Sequence, residues 1–169
     1  RAADAVRGAG IACRGVRSGS RPRALAARNR EGVNGVGAGV YVFFDLVMSN
    51  VGVCKPENVA LSVLTTVIGH QPEKGWVIVD AGWMAMSRDR GTQRQKIDYG
   101  YGAVCDADGN VIDGLIVSGA NQEHGIVSRR DGGTIDLTAF PVGTRLRVLP
   151  NHACATGAHC IGHGGELIQ

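Results

Sequence analysis

The sequence predicts a mainly β fold, an antiparallel β-barrel or sandwich preceded by a short βα piece of an α/β barrel. Three observations carry this. From residue 40 onward the chain is a series of short segments rich in β-branched and aromatic residues. Lys74-Gly75, Asp108-Gly109 and Asp131-Gly132-Gly133 separate several of them, and Asp-Gly pairs favour tight hairpins because both residues tolerate positive φ. Before residue 35 the pattern is different, and its order is helix, strand, loop, helix.

Residues 2–6, followed by Gly8 and Gly10, have the pattern of a helix end with glycine stop signals, and residues 11–16 that of a short strand. Ser18-Gly19-Ser20 forms a loop before Pro22, which opens an Ala-rich helix over 23–28; proline is tolerated in a first turn, where its missing N–H has no partner to lose. Backbone N–H groups at such a helix start can bind a phosphate, although an ordinary βα turn has the same local sequence. Arginine and glycine replace the apolar pattern near residues 29–39, so a domain boundary is expected there, dividing 1–34 from 35–169. Strands are expected over 40–44, 59–68, 76–79, 103–105, 111–117, 125–127 and 145–149. The 60–68 run alternates in its C-terminal half as a half-buried strand should, and Tyr41 and Asp45 would share a face of theirs.

At 169 residues the chain can bury one sizeable core but is too short for a complete α/β barrel of about 250 residues plus a second domain. It opens on Arg1, and is expected to be a fragment. A net charge of +3 with 20% charged residues is ordinary for a soluble protein. Arg14, Arg17, Arg21, Arg23, Arg28 and Arg30 crowd the first 30 positions without interleaved aromatics or a binding motif, so no nucleic-acid partner is expected. No apolar run approaches the ~20 residues of a membrane span. Five cysteines, an odd number without a C-x-x-C pair, fit a reduced, cytoplasmic compartment; Cys13, Cys54 and Cys105 have the settings of buried small hydrophobes.

Most of the chemical content lies in Pro150-Asn151-His152-Ala153-Cys154. On a strand, alternate residues point the same way, so the imidazole and the thiol could reach one soft divalent ion. Zinc accepts this pair at roughly 2.0–2.3 Å, and two protein ligands would leave positions open for water or substrate, which is a catalytic arrangement. A His-x-Cys in a loop can equally be two unrelated residues. His159 and His163 fall in a Gly-rich tail and are not expected to ligate. Asp80, after an apolar run and before Ala81-Gly82, has the setting of a turn-stabilising carboxylate, Tyr101 between two glycines that of an exposed ring, and Glu123-His124 that of a polar turn.

Read in order, Gly39-Val40-Tyr41-Val42-Phe43-Phe44-Asp45, Asp80-Ala81-Gly82, Gly100-Tyr101-Gly102, Gln122-Glu123-His124-Gly125 and the Pro150–Cys154 segment resemble the zinc-assisted, pyridoxal-phosphate-dependent D-serine dehydratase and D-threonine aldolase family. The resemblance implies an N-terminal alanine-racemase-like α/β barrel that holds the cofactor on a lysine and a C-terminal β-domain that supplies the metal. This chain resembles the last piece of that barrel followed by most of the β-domain. Lys55, Lys74 and Lys96 all lie in the β-domain, so the cofactor lysine is expected outside the chain.

The resemblance places Gly19, Ser20, Gly39, Val40 and Tyr41 against the pyridoxal 5'-phosphate phosphate group, although Arg21 and Arg23 stand where the family has threonines. It makes His152 and Cys154 the catalytic ligands of Zn2+ or another divalent metal, and Glu123-His124-Gly125 an interface or supporting element facing that metal. The implied reaction is β-elimination from a small β-hydroxy D-amino acid to a 2-oxo acid and ammonia, in an enzyme that is a homodimer at full length. Two alternatives stay open. Retro-aldol cleavage to glycine and an aldehyde uses the same constellation, but the family's aldolases tend to carry aspartate at the second ligand position, and Cys154 favours dehydration. A non-catalytic, metal-binding β-domain is kept open by the missing lysine.

Overall fold

A computed structural model describes residues 2–19, 31–37, 39–40 and 42–162, in two compact units, 1–41 and 42–169. The first unit contains α1 (Ala2–Gly8), β1 (Arg17–Gly19) and β2 (Gly35–Gly37). The two strands pair in parallel, Arg17 with Gly35, Ser18 with Val36 and Gly19 with Gly37. The strand expected over 11–16 lies instead at 17–19. Asn34 accounts for the shift: its Oδ1 accepts from Val16 N at 2.7 Å and its Nδ2 donates to Arg14 O at 3.1 Å, side-chain bonds that replace a ladder over this stretch. The helix expected over 23–28 lies outside the described residues.

The second unit is a closed barrel of six strands, β3 (Val63–Gln71), β4 (Trp76–Val79), β5 (Gly102–Cys105), β6 (Val111–Ala120), β7 (Gly125–Arg129) and β8 (Arg145–Pro150), in the order β3-β4-β7-β6-β5-β8. Every neighbouring pair is antiparallel, and closure comes from β3 against β8, running from Val63 with Val148 to Thr66 with Arg145. Of barrel and sandwich, the chain thus forms the barrel. Its interior is dominated by valine: Val63, Val67, Val77, Val79, Val104, Val117, Val127 and Val148 are buried together with Leu115 and Leu146. Short branched side chains suit the narrow bore of a six-stranded barrel and strand backbone alike. The Asp108-Gly109 signal is a hairpin, with Asp106 Oδ1 accepting from Asp108 N at 3.0 Å and Asn110 N at 2.9 Å and Gly109 at φ +94°.

Residues of the opposite parity on β5, β6 and β8 point outward yet are also buried. Ala103, Cys105, Ile116 and Leu149 pack with Leu46 and Tyr99 in a second cluster outside the barrel wall. Leu46 belongs to α2 (Leu46–Asn50), and this is where the sequence reading of 40–44 as a strand fails. The described residues there form a turn into a helix, with Phe44 at φ 54° and Asp45 as N-cap, its Oδ1 accepting from Met48 N at 2.9 Å. Aspartate's capping bond outweighs the β propensity of the preceding residues. Tyr41, expected to share a face with Asp45, lies outside the described residues. Strand β3 likewise starts at Val63 rather than 59, after a 3-10 turn over Pro56–Asn58.

Among the described residues two further short helices follow, α3 (Trp83–Met86) after β4 and α4 (Ala153–Gly162) after β8. The antiparallel order makes β4, β6 and β8 run in one direction, so their C-terminal ends share one rim. There α3 and α4 pack together, with Thr156 Oγ1 donating to Met86 O at 2.5 Å. Cys105 is fully buried as expected, whereas Cys13 and Cys54 are half-buried. No described helix is long and apolar enough to cross a membrane.

Candidate metal centre at the barrel rim

His152 and Cys154 lie where β8 gives way to α4, not on a strand. The strand stops at Pro150, and His152 caps the helix through its carbonyl, which accepts from Thr156 N at 3.2 Å. Cys154 follows in the first turn, and both residues are exposed. The period-2 argument for their convergence therefore does not apply, because residues two apart on a helix do not share a face. What they share is the start of one helix, held from several sides.

Asn151 is the anchor. It is 2% exposed, and its Nδ2 donates to Asp89 O at 2.9 Å and Gly100 O at 2.7 Å, while its Oδ1 accepts from Thr92 Oγ1 at 3.1 Å. Thr92 Oγ1 in turn accepts from Tyr99 N at 3.1 Å. One buried amide thus ties the segment 87–101, which links α3 to β5, to the residue preceding His152. Asp45 holds the same turn from another direction: its Oδ2 accepts from Ala153 N at 3.2 Å while its Oδ1 caps α2. A single buried carboxylate therefore caps two helices.

The contact with the clearest chemical meaning is between His152 Nδ1 and Asp89 Oδ2, at 2.8 Å. Asp89 Oδ1 accepts from Gly91 N at 2.7 Å. A carboxylate on one ring nitrogen of a partly exposed histidine is the arrangement that orients metal-binding histidines. Among the described residues no group of three or more His, Cys, Asp or Glu side chains could hold a metal. An ion here would rest on His152 and Cys154 and fill its remaining positions with water or substrate. The donor set, one imidazole and one thiol, suits a soft or borderline divalent ion.

Glu123 and His124, expected to support the metal, occupy the β6–β7 turn. His124 Nε2 is 2.7 Å from Asn121 Nδ2, within its own turn, and the turn's carbonyls receive α3: Trp83 N donates to Asn121 O and Met84 N to Gln122 O. Asp80, expected to stabilise the turn at Ala81-Gly82, reaches across to β3 instead, its Oδ1 accepting from Thr65 Oγ1 at 2.7 Å and Thr66 N at 2.8 Å. Tyr101 is half-buried against the barrel core, with the Arg90 guanidinium 5.4 Å from its ring centroid. Of the phosphate candidates, Gly19 ends β1 and Gly39-Val40 follow β2, so these three lie at the C-terminal ends of parallel strands. Ser20, Tyr41 and His163 lie outside the described residues. Sequence reasoning missed Asp89 and gave Asn151 no role. The available signal was Ser87-Arg88-Asp89-Arg90-Gly91, a polar run in which Asp89 bonds the backbone two residues on.

These features define a class, a small closed β-barrel domain that presents a histidine and a thiol at the start of a rim helix. The profile of the "Putative serine dehydratase domain" family matches residues 60–161, and the chain belongs to that family. It is 67% identical over 159 residues to the D-threo-3-hydroxyaspartate dehydratase of Delftia sp. (strain HT23), covering 93% of this chain and 42% of that protein. It is 31% identical over 146 residues to a D-serine dehydratase of Dictyostelium discoideum, covering 82% and 36%. The solved Delftia enzyme superposes with a TM-score of 0.85 at 66% identity over 94% of this chain and 42% of that one. An alanine-racemase-like protein from Idiomarina loihiensis gives a TM-score of 0.84 at 50% identity, with the same coverage of 94% and 42%. The chain spans roughly two-fifths of the length of these relatives. Two further D-threo-3-hydroxyaspartate dehydratase structures carry alanine for a histidine and for a cysteine two positions apart, and the cysteine variant is in the metal-free form.

Proposed function

We propose that this chain is the C-terminal part of a pyridoxal-phosphate- and metal-dependent dehydratase that converts a β-hydroxy D-amino acid to a 2-oxo acid and ammonia. The unit 1–41 would be the end of the cofactor-binding barrel and the unit 42–169 the metal-bearing β-domain, in a cytoplasmic homodimer. The observation that carries the reading is the His152–Asp89 contact of 2.8 Å at a helix start that also presents Cys154. The identical His-x-Cys spacing of the two substituted positions in the D-threo-3-hydroxyaspartate dehydratase variants supports it.

Pyridoxal phosphate, when bound, is an electron sink for the pair left behind as the α-proton departs, and a divalent metal, zinc or another, makes hydroxide an acceptable leaving group. The chain's own residues position both. His152 and Cys154 are the proposed metal ligands. Gly19, Ser20, Gly39, Val40 and Tyr41 are the proposed phosphate contacts, and the ends of parallel strands are where α/β barrels build such sites. In the net reaction the Cα–H and Cβ–O bonds break, water leaves, and hydrolysis of the resulting enamine yields the 2-oxo acid and ammonia. D-threo-3-hydroxyaspartate is favoured over D-serine because the relative of that name is 67% identical and the D-serine dehydratase 31%.

The test uses the full-length protein that contains this chain, loaded with cofactor and metal and offered D-threo-3-hydroxyaspartate, D-serine and D-threonine. A 2-oxo acid and ammonia are expected, fastest from the first, together with loss of bound metal in His152→Ala by elemental analysis. Glycine and an aldehyde as main products would replace dehydration with retro-aldol cleavage, and full metal content in His152→Ala would remove His152 from the site.

A further inference from the structure

We infer that Asp89 is the positioning residue of the metal centre: it fixes the tautomer and aim of His152, so that the ring offers Nε2 to the metal. The inference rests on the proposed role of His152 as a ligand and adds a residue that the ligand pair does not include. Its chemistry is direct. An ionised carboxylate can only accept hydrogen bonds, so with Asp89 Oδ2 at 2.8 Å the proton of the neutral imidazole belongs on Nδ1. The lone pair is then on Nε2, on the opposite side of the ring from Asp89, and the carboxylate makes that nitrogen a stronger donor.

The way Asp89 is held separates this arrangement from an incidental surface ion pair. Its Oδ1 accepts from Gly91 N at 2.7 Å, its main-chain oxygen accepts from the buried Asn151 Nδ2 at 2.9 Å, and its own N donates to Ser87 Oγ at 3.2 Å. Gly91 leaves room for this, because a Cβ there would come within 2.8 Å of Val47 Cγ2 and 3.0 Å of Asp89 Oδ1. With side chains 47% and 30% exposed, His152 and Asp89 would contribute little to stability as an ion pair. Three separate restraints on one residue, one on its carboxylate and two on its backbone, are explained by a need for a fixed imidazole.

The experiment takes the full-length holoenzyme, removes the metal with a chelator, and returns Zn2+ in a competition titration. Asp89→Ala is expected to weaken zinc about 10- to 100-fold, the range for losing such a supporting partner. Asp89→Asn keeps the shape of the Gly91 turn without the charge, and is expected to weaken zinc in the same direction if Asp89→Ala folds poorly. A readout independent of affinity is the 15N spectrum of the metal-free His152 ring in its neutral form. Parent protein should show the Nδ1–H tautomer, and both variants a shift toward Nε2–H, which a merely structural role would not produce. Zinc affinity within twofold of parent and an unmoved tautomer in both variants would overturn the assignment. If His152→Ala loses zinc while the Asp89 variants keep it, this inference alone fails; if His152→Ala keeps zinc, the ligand assignment beneath it fails as well.

Discussion

Replacing Asn151 with alanine should cost the rim more than any other polar truncation, and the structure sets the size of the loss. Three hydrogen bonds of a side chain that is 2% exposed disappear together, those to Asp89 O, Gly100 O and Thr92 Oγ1. Each is worth roughly 1 kcal/mol net, and each buried acceptor left without a donor costs about 1–3 kcal/mol where water cannot reach it. Because Gly100 is itself buried and the segment 87–101 has some freedom to relax, we expect a loss of about 3–5 kcal/mol. For a domain of this size that lowers the melting temperature on the order of 10 °C. Thermal unfolding followed by circular dichroism measures it. Hydrogen exchange adds a spatial signature: the amides of Gly91 and Tyr99, which bond to Asp89 Oδ1 and Thr92 Oγ1, should exchange faster, while that of Val127 in the barrel wall should not change. A loss below about 1 kcal/mol, or uniform acceleration across the barrel, would refute the view of Asn151 as the anchor of this segment.

Burial, reinforced by the Asp106 carboxylate, pushes the Cys105 thiol up from 9.0 to about 11. The folded state therefore keeps a proton that the unfolded state gives up, so stability present below pH 9 should fall as the pH rises from about 9 to 11, by about 2–3 kcal/mol relative to a Cys105→Ala variant; parallel slopes for the two proteins in urea titrations would contradict this. Gly82→Ala has an allowed backbone, φ −91°, yet its Cβ would collide with the carbonyl oxygens of Asn121 and Gln122, so a loss of about 3 kcal/mol is expected, against less than about 1 kcal/mol for Gly69→Ala, whose Cβ meets nothing within 4 Å. Equal melting temperatures for the two alanine variants would show that the β6–β7 turn yields.

The strands from 63 onward were legible because valine, isoleucine and Asp-Gly turns are local signals, and local signals decide where strands begin and turn. Barrel closure was not, since the pairing of Val63 with Val148 joins residues far apart in sequence and leaves no local mark. The same distinction holds at the site. His152 and Cys154 were visible as a pair, but the alternation rule was carried past Pro150 into residues that form a helix, where Ala153 and Ala155 were the available warning. Asp89 meets His152 across 63 positions, and only the folded barrel brings them together. Residues 40–44 show a conflict between two local signals, β propensity and an aspartate suited to cap a helix, that composition alone does not resolve.

The two-helix cap at Asp45 has a consequence for the order of events during folding. Asp45 and Ala153 are separated by 108 positions, and the first turn of α4 gains its cap only when those two ends of the domain meet. Bringing them together requires the intervening strands to have paired, because closing so long a loop carries an entropic cost that the contacts between must first offset. Late completion of the segment bearing His152 and Cys154 is therefore expected. If His152 and Cys154 are the ligands proposed above, a chain still emerging during synthesis, or cut between the two ends, would carry its thiol and imidazole without the geometry to hold an ion, and capture of metal would report that the barrel has closed.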